Sequence, residues 1–431
     1  MSSLTPQKIT KFYSPLALSW LCMAIESPVC VSAMSHAPDR ELNVAAFNVL
    51  MAVALWIESP VIDLLATSTT LVAGPKSIAR LKRFALWVML LATAVHGLLA
   101  FTPLFDIVAV PLLRMNPDQA ERVRSGLQIM LLWSACIGWR RTLQGFLIRS
   151  GLTRAIGAGT LVRLTSLSIT AFSLAYLTSL PGIRIAACAL IVSVFSEAAF
   201  IHFAVRRSKA DEHAFGRDDH APSGLEMARF HAPMTATTMI VLAANLLVAA
   251  AVNQLHDPVL SLASLQFCNS LLWLFRTTGY ALPEVVITLG QNDESRRTLW
   301  KYCLGVGLGL SGLTLAFALV GLDRWFFRQV LGASPAAEDR AHVMFLIAVL
   351  APFIGAAQSY FRGTLTQRKK TVARLWAIGA NVVTLIVGLR LAVVMQWDAR
   401  YAATSILVTA LAIELVTLAV FERARPAQSA P

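Results

Sequence analysis

Residues 206–229 read RRSKADEHAFGRDDHAPSGLEMAR, and they form the one long polar stretch inside an otherwise apolar chain. The chain has 431 residues, of which 56% are hydrophobic and 14% are charged. A soluble protein of this size has roughly 25% charged residues. We therefore interpret 206–229 as a cytoplasmic linker that joins two membrane-embedded lobes, residues 1–205 and 230–431.

The apolar runs on both sides of the linker predict an all-α polytopic membrane protein with twelve transmembrane helices, six in each half. A bilayer core about 30 Å thick requires about 20 apolar residues per helix. The runs are long and do not alternate, which argues against transmembrane strands. The predicted spans are 12–34, 43–73, 84–112, 125–147, 155–179, 183–205, 230–253, 258–288, 298–321, 341–362, 372–396 and 401–421.

Landmarks of the first half recur in the second half. The spacing along the chain is the same for every pair, and it equals the spacing from Phe12 to Phe230. The other recurring pairs are Pro15 and Pro233, Asn116 and Ser334, Gly145 and Gly363, and Leu147 and Leu365. Internal duplication of a membrane bundle is typical of secondary transporters. Because each half has an even number of spans, we expect two parallel six-helix repeats related by an axis along the membrane normal.

The distribution of basic residues predicts the side of the membrane on which each loop lies. The loops on the side of the termini hold 23 Lys and Arg residues, and the opposite loops hold 9. Basic loops stay in the cytoplasm, so we expect both termini there and the chain in the inner membrane. The net charge of +13 mostly reflects this asymmetry. No basic patch stands apart from the span ends, so we expect no nucleic-acid partner.

Sequence motifs do not point to an enzyme. The chain has no Walker A motif, no Gly-x-Ser-x-Gly and no His-Glu-x-x-His. The six cysteines lie in or beside apolar segments without CxxC spacing, so we expect neither disulfides nor a metal site. We interpret His96, which stands alone in its span, as a packing residue. We expect no catalytic residue and no cofactor beyond a proton or sodium ion for coupling, and we expect a monomer.

Carboxylates inside the predicted spans are candidates for ion coupling, because a charge at membrane depth is costly unless it is paired or hydrated. We assign this role to Glu26, Glu58 and Asp63. Glu26 lies in a helix interrupted by Pro28, and a proline frees a backbone carbonyl that can serve an ion or a hinge. The alternative is that each carboxylate is the structural partner of an arginine. Further charges in the spans, without an assigned role, are Glu197, Glu284, Arg390 and Glu414.

Arginines and asparagines inside the spans are candidates for substrate binding. They are Arg140, Arg141, Arg163, Arg276, Asn245 and Asn381. Guanidinium groups bind carboxylates and phosphates through two parallel hydrogen bonds, so the cluster in the first half predicts an anion-binding surface. Structural pairing between helices is the alternative.

Glu58 and Arg276 occupy equivalent positions of the repeat. Opposite charges at equivalent positions approach each other if both face the cleft between the halves. We predict that they pair in one access state and act as a gate. The alternative is that each forms an ion pair within its own half.

The openings of the two halves resemble those of a known superfamily. Phe12-Tyr13-Ser14-Pro15 and Phe230-His231-Ala232-Pro233, with the Gly145 and Gly363 segments, are similar to the MOP superfamily of MATE exporters and lipid-linked oligosaccharide flippases. The likeness is greatest to its progressive ankylosis (Ank) branch. The resemblance implies cation coupling at Glu26, since MATE proteins use an acidic residue in the first span. It also implies export of anions, which is the activity associated with the Ank branch.

Together these features predict a secondary active transporter that exports an anionic or amphipathic organic molecule across the inner membrane by alternating access, driven by an ion gradient. Its partners would be the lipid bilayer and a small organic anion. The alternative is a flippase for a lipid-linked precursor. A membrane-embedded enzyme is a third reading, and it lacks the required constellation of His, Asp or Cys residues.

Overall fold

The computed structural model describes residues 4–210, 222–368 and 371–423, which fold as helices and connecting turns without a strand. The helices of the first half are α1 (Pro6–Ala24), α2 (Glu26–Met34), α3 (Arg40–Ile62), α4 (Leu64–Leu71), α5 (Pro75–Phe101), α6 (Val110–Leu113), α7 (Pro117–Ile129), α8 (Trp133–Arg149), α9 (Thr153–Leu177) and α10 (Gly182–Ser208). A π-helix, Phe105–Ala109, precedes α6.

The second half follows a similar order of elements, with an unbroken first helix and with its short helix before the π-helix instead of after it. Its helices are α11 (Gly224–Val252), α12 (Pro258–Arg276), α13 (Leu282–Leu289), α14 (Asp293–Leu319), α15 (Leu322–Trp325), α16 (Pro335–Ile347), α17 (Ala351–Gln367), α18 (Thr371–Val394) and α19 (Ala399–Arg423). Thr277–Ala281 and Ala348–Leu350 are 3₁₀ turns, and Phe326–Val330 is a π-helix. Of the predicted linker 206–229, residues 211–221 lie outside the described residues.

The chain is an all-α polytopic membrane protein, with 11 helical segments in its described part that are long and apolar enough to cross a membrane. The sequence predicted twelve. The difference is the predicted span 125–147, which falls across α7 and α8, helices of 13 and 17 residues separated by a turn at residues 130–132. Its counterpart, Pro335–Gln367, remains one 33-residue segment, because the 3₁₀ turn Ala348–Leu350 continues the helix there.

The helices group into two compact units that differ from the predicted halves. One unit contains the described residues of Met1–Pro28 and Gln254–Pro431, and the other is Val29–Asn253. The first helix of each half, α1 or α11, therefore groups with the later helices of the other half. The predicted boundaries at 205 and 230 describe the repeat in the sequence, and they do not describe these units.

Each exchanged helix is held within its unit by an equivalent hydrogen bond. The Tyr13 hydroxyl donates to the Thr278 carbonyl at 3.2 Å. His231, the equivalent of Tyr13, contacts the Pro60 carbonyl through Nε2 at 2.8 Å, and Pro60 is equivalent to Thr278. Both acceptors lie where the second span of a half is interrupted: α3 ends at Ile62, two residues after Pro60, and Thr278 lies in the 3₁₀ turn Thr277–Ala281. Carbonyls at such breaks lack their usual intrahelical donor.

The polar ends of the bundles show the same repetition. Arg122 Nη2 binds Asp39 at 2.7 Å and Arg340 Nη2 binds Asp257 at 2.7 Å, again in the register of the repeat. Both aspartates have left-handed backbone angles, with φ of 52° and 49°. Contacts in this register inside both units show that the duplicated sequence builds duplicated local structure.

Gly145 and Gly363 mark an equivalent close approach between helices in each half. A Cβ atom on Gly145 would lie 2.7 Å from Ser68 Cβ and 3.0 Å from the Thr69 nitrogen. A Cβ on Gly363 would lie 2.8 Å from Val286 Cβ, and Val286 is equivalent to Ser68. The repeated glycine is therefore a packing requirement between the fourth span and the second.

We predict that Gly145→Ala lowers the thermal unfolding temperature of the detergent-solubilised protein, because overpacking costs about 1–3 kcal/mol. Gly157→Ala is the matched control, since nothing lies within 4 Å of its added Cβ atom. Equal unfolding temperatures for the two variants would contradict the close contact between α8 and α4.

Candidate functional site

A fully buried carboxylate, Glu197 on α10, lies at the centre of the polar interior of the unit Val29–Asn253. Arg140 Nη1 donates to Glu197 Oε2 at 2.6 Å, and Arg163 Nη1 donates to the same oxygen at 3.4 Å. Gln144 Nε2 donates to Oε1 at 3.3 Å. Both arginines are almost completely buried, so helices α8, α9 and α10 meet around one network of charges.

The positions on α8 explain why two of its side chains reach Glu197. Arg140 and Gln144 are four residues apart, so they lie one turn apart on the same face of the helix. Burial of an isolated charge costs several kcal/mol, and pairing with good geometry compensates for much of it. The network therefore explains how three ionised groups are accommodated inside the bundle.

The second half carries an equivalent network. Its arginine lies one helical turn further along the fourth span than Arg140 does in the first half. Glu414 on α19 is bound by Arg362 of α17 and by Asn381 Nδ2 at 3.0 Å. Arg362 is equivalent to Gln144, and Asn381 is equivalent to Arg163. At the position equivalent to Arg140 the second half has Gln358, which donates to the Leu411 carbonyl at 2.8 Å. Arginine and glutamine are thus interchanged between the two positions of the fourth span.

Glu58 lies in the same polar interior as Glu197, on α3. Its carboxylate accepts a hydrogen bond from the indole nitrogen of Trp133, and both residues are buried. The guanidinium of Arg163 lies over the Trp133 ring, 5.9 Å from its centroid. Trp133 therefore links the Glu58 carboxylate to the Glu197 network, through a hydrogen bond on one side and a cation–π contact on the other.

Arg141 and Asp63 complete the charges of this interior. Within the described residues, neither forms an ion pair, and both side chains are half-buried. Nε of Arg141 and Oδ2 of Asp63 are buried atoms without a hydrogen-bond partner, although Asp63 also interacts with the Thr238 side chain. Electrostatic interactions connect Arg141 to Glu58, Glu197 and Asp63. Within the described residues, these two groups are therefore the members of the cluster that have no ion pair and no indole partner.

The remaining predicted site residues lie elsewhere. Glu26 is half-buried and begins α2, directly after the interruption of the first span. Its neighbour Ser27 shares hydrogen bonds with Ser270 at 3.0 Å and Gln266 at 2.9 Å. Arg276 is half-buried and ends α12, whereas Asn245 is exposed on α11. The predicted gate between Glu58 and Arg276 stays a prediction.

The sequence listed Glu197 and Glu414 among the charges in the spans but gave neither a role. Their separation is one position short of the repeat register, so a search in strict register does not pair them. The sequence analysis did not select Trp133, because tryptophan counts as an apolar residue in a search for polar groups inside the spans. Allowing the register to shift by a single position would have identified the pair of carboxylates.

Direct sequence comparison finds no protein-family model and no curated protein that matches this chain. Solved structures match over almost its whole length. The chain is similar to the eukaryotic MATE transporter AtDTX14 (14% identity, TM-score 0.69), with 97% of this chain and 95% of that chain covered. It is also similar to the lipid II flippase MurJ in an inward closed conformation (11% identity, TM-score 0.72), with 96% and 88% covered.

A further match is a MOP superfamily transporter from Pyrococcus furiosus, described as having a binding pocket of reverse polarity. Its identity is 13% and its TM-score 0.59, with 96% of this chain and 93% of that chain covered. Identities this low show a common fold. The chain therefore has the fold shared by MATE transporters and MurJ, as the resemblance in its sequence predicted.

We predict that Arg140→Gln destabilises the protein and that adding Gln144→Arg restores much of the loss. The double change gives the fourth span of the first half the arrangement that the fourth span of the second half has beside Glu414, with Arg163 unchanged. Breaking a buried pair costs about 3–5 kcal/mol, which is an upper limit here because Arg163 remains. Thermal unfolding of the single and double variants measures both effects.

Arg390→Gln is the control for loss of an arginine inside a span, since Arg390 is exposed on α18. If the double variant is no more stable than Arg140→Gln alone, positions 140 and 144 are not interchangeable partners of Glu197.

Proposed function

We propose that the protein is a secondary active transporter that exports an anionic or amphipathic organic molecule across the inner membrane, with both termini in the cytoplasm. The observation that carries the proposal is the cluster of Arg140, Arg141 and Arg163 inside a fold shared with MATE transporters. Charges in a membrane interior are expected at substrate and ion pathways. Guanidinium groups suit a carboxylate or phosphate on the substrate.

Coupling to a proton or sodium gradient is assigned to carboxylates in the same proposal. Glu58 and Asp63 adjoin the arginines, and Glu26 lies at the break in the first span. A helix break exposes backbone carbonyls, which are suitable ligands for a small cation. A solved MOP superfamily transporter is described as having a pocket of reverse polarity, which supports the idea that this fold accommodates pockets of different charge.

A flippase for a lipid-linked precursor is the second candidate. The likeness to MurJ favours it, because that structure has a TM-score of 0.72 with 96% of this chain covered. A lipid-linked precursor and a soluble organic anion share an anionic group that the arginine cluster would recognise. They differ in the lipid chain, which only the flippase would carry across.

The purified protein in proteoliposomes distinguishes the two candidates. We expect gradient-dependent transport of radiolabelled organic anions, and we expect the same anions to raise the thermal unfolding temperature, because ligand binding stabilises the folded state. Translocation of a fluorescent lipid-linked diphosphate without transport of soluble anions would favour the flippase. Neither activity, in a protein that unfolds cooperatively, would contradict the proposal.

We predict that Glu26→Gln abolishes gradient-driven transport while thermal stabilisation by the substrate persists, because the amide cannot exchange a proton or neutralise a cation. Glu294→Gln is the control, since Glu294 lies in the exposed first turn of α14. Transport by Glu26→Gln at the wild-type rate under the same gradient would remove Glu26 from the coupling mechanism.

A further inference from the structure

The basic and acidic side chains of the six-residue cluster in the interior of the unit Val29–Asn253 are equal in number. Arg140, Arg141 and Arg163 supply three guanidinium groups, and Glu58, Asp63 and Glu197 supply three carboxyl groups. The electrostatic interactions among them connect all six into one cluster. A simple anion would add negative charge without a partner to this cluster, which is unfavourable where the groups are shielded from water. A ligand that brings both signs leaves less charge uncompensated.

Four of the six groups already have charged or aromatic partners. Arg140 and Arg163 bind Glu197, and Glu58 accepts the Trp133 indole hydrogen bond. Arg141 and Asp63 are different, because neither forms an ion pair in the described part of the chain. Each also has a buried polar atom without a hydrogen bond, although such atoms occur on Arg140 and Arg163 too. Charged groups inside membrane proteins usually pair with one another, so two that form no ion pair require an explanation. A bound ligand that pairs with both groups supplies one.

The position of Asp63 makes its unused oxygen more informative. Asp63 is the last residue before α4, the place where an aspartate ordinarily accepts a hydrogen bond from the backbone of the first turn. Its side chain makes no such bond, and the α4 residue Thr67 is bonded instead to the Asp63 carbonyl oxygen, at 3.0 Å. The carboxylate is therefore not required for capping the helix.

The second half provides an internal control for what the fold needs. The residue equivalent to Asp63 is Ala281, which also lies at the junction between two helical segments. The residue equivalent to Arg141 is Ser359, which is buried on α17. The second half builds the same broken second span and the same fourth span without either charge. Arg141 and Asp63 are therefore dispensable for the architecture that surrounds them.

We infer that Arg141 and Asp63 together form a subsite for a zwitterionic ligand, in which Arg141 binds a phosphate or carboxylate and Asp63 binds an ammonium group. This inference rests on the proposed function and specifies its substrate class. Asp63 is also a candidate for the coupling ion. The substrate's ammonium group and the coupling cation would then compete for one carboxylate, which is the competition that exchange transport requires.

Three small molecules test the subsite as a matched set. Phosphoethanolamine carries both charges, ethyl phosphate lacks the ammonium group, and ethylamine lacks the phosphate. Their affinities for the purified protein are measured by calorimetry and by thermal unfolding. We expect phosphoethanolamine to bind about tenfold or more tightly than either single-charge analogue, as paired charges in a desolvated site require.

Two variants test which residue binds the ammonium group of the ligand and which binds its phosphate. Asp63→Ala and Arg141→Ser introduce the residues that the second half carries, so both are expected to fold. Asp63→Ala should make the affinities for phosphoethanolamine and ethyl phosphate equal. Arg141→Ser should lower the affinity for both compounds. Arg390→Gln is the control and should change neither affinity.

The free headgroup and the lipid that carries it are distinguished by a second arm. Vesicles with and without phosphatidylethanolamine are compared for their effect on phosphoethanolamine binding. Competition by the lipid identifies a lipid headgroup as the source of the zwitterion, and no competition identifies a soluble substrate.

Failure of this inference and failure of the proposed function give different results. Binding of ethyl phosphate or other organic anions as tightly as phosphoethanolamine would overturn the zwitterionic subsite and leave an anion transporter in place. The subsite is also overturned if organic anions are transported but none of the three probes binds. Absence of both binding and transport for every organic anion and lipid precursor would overturn the proposed function itself.

Discussion

A buried carboxylate on the last span of each half must be paired, and the polar interior of each unit is arranged around this requirement. Glu197 and Glu414 are 0% and 3% exposed. Each draws a positively charged or amide side chain from the fourth and fifth spans of its half. Because an unpaired ion at this depth would cost several kcal/mol, the pairing constrains which faces of three helices meet.

The two solutions to this constraint are related but not identical. The first half places arginine at 140 and glutamine at 144, and the second half has glutamine at 358 and arginine at 362. A guanidinium on a flexible stem reaches the same carboxylate from either turn, so the interchange preserves the pair. Features that both halves share are therefore those that the architecture requires, whereas residues found in only one half are not required by it. Arg141 and Asp63 are charges that the second half replaces with Ser359 and Ala281, and neither forms an ion pair in the described part of the chain.

Much of the fold follows from the sequence alone. Apolar runs locate the spans, because a membrane helix must be long and apolar. The internal repeat identifies positions such as Gly145 and Gly363, where the same close packing recurs. The sequence predicted one continuous span at 125–147, because hydropathy does not reveal the turn at residues 130–132 that divides it. The exchange of α1 and α11 between units depends on contacts far apart in the chain, which local patterns do not encode.

The site was predictable in its residue types and less so in its connections. Arg140 and Arg163 were recognised as charges in spans, but their common partner, Glu197, lies on another helix and outside strict register. Asn245 was assigned with them because it is polar within a span, yet it is exposed on α11. Exposure and pairing depend on the rotation of each helix about its axis, and a nearly uniform apolar span gives little information about that rotation.

The central claim is that the carboxylate networks hold the fold, whereas Arg141 and Asp63 serve a ligand. The most direct measurement is the thermal unfolding temperature of the ligand-free double variant Asp63→Ala, Arg141→Ser, compared with that of Glu197→Gln. We predict that the double variant unfolds at or above the wild-type temperature, because it removes two charged groups that form no ion pair and that each have a buried polar atom without a hydrogen bond. We also predict that Glu197→Gln unfolds well below that temperature, because Arg140 and Arg163 lose their counter-ion. A double variant that is as unstable as Glu197→Gln would contradict the division between structural and functional charges.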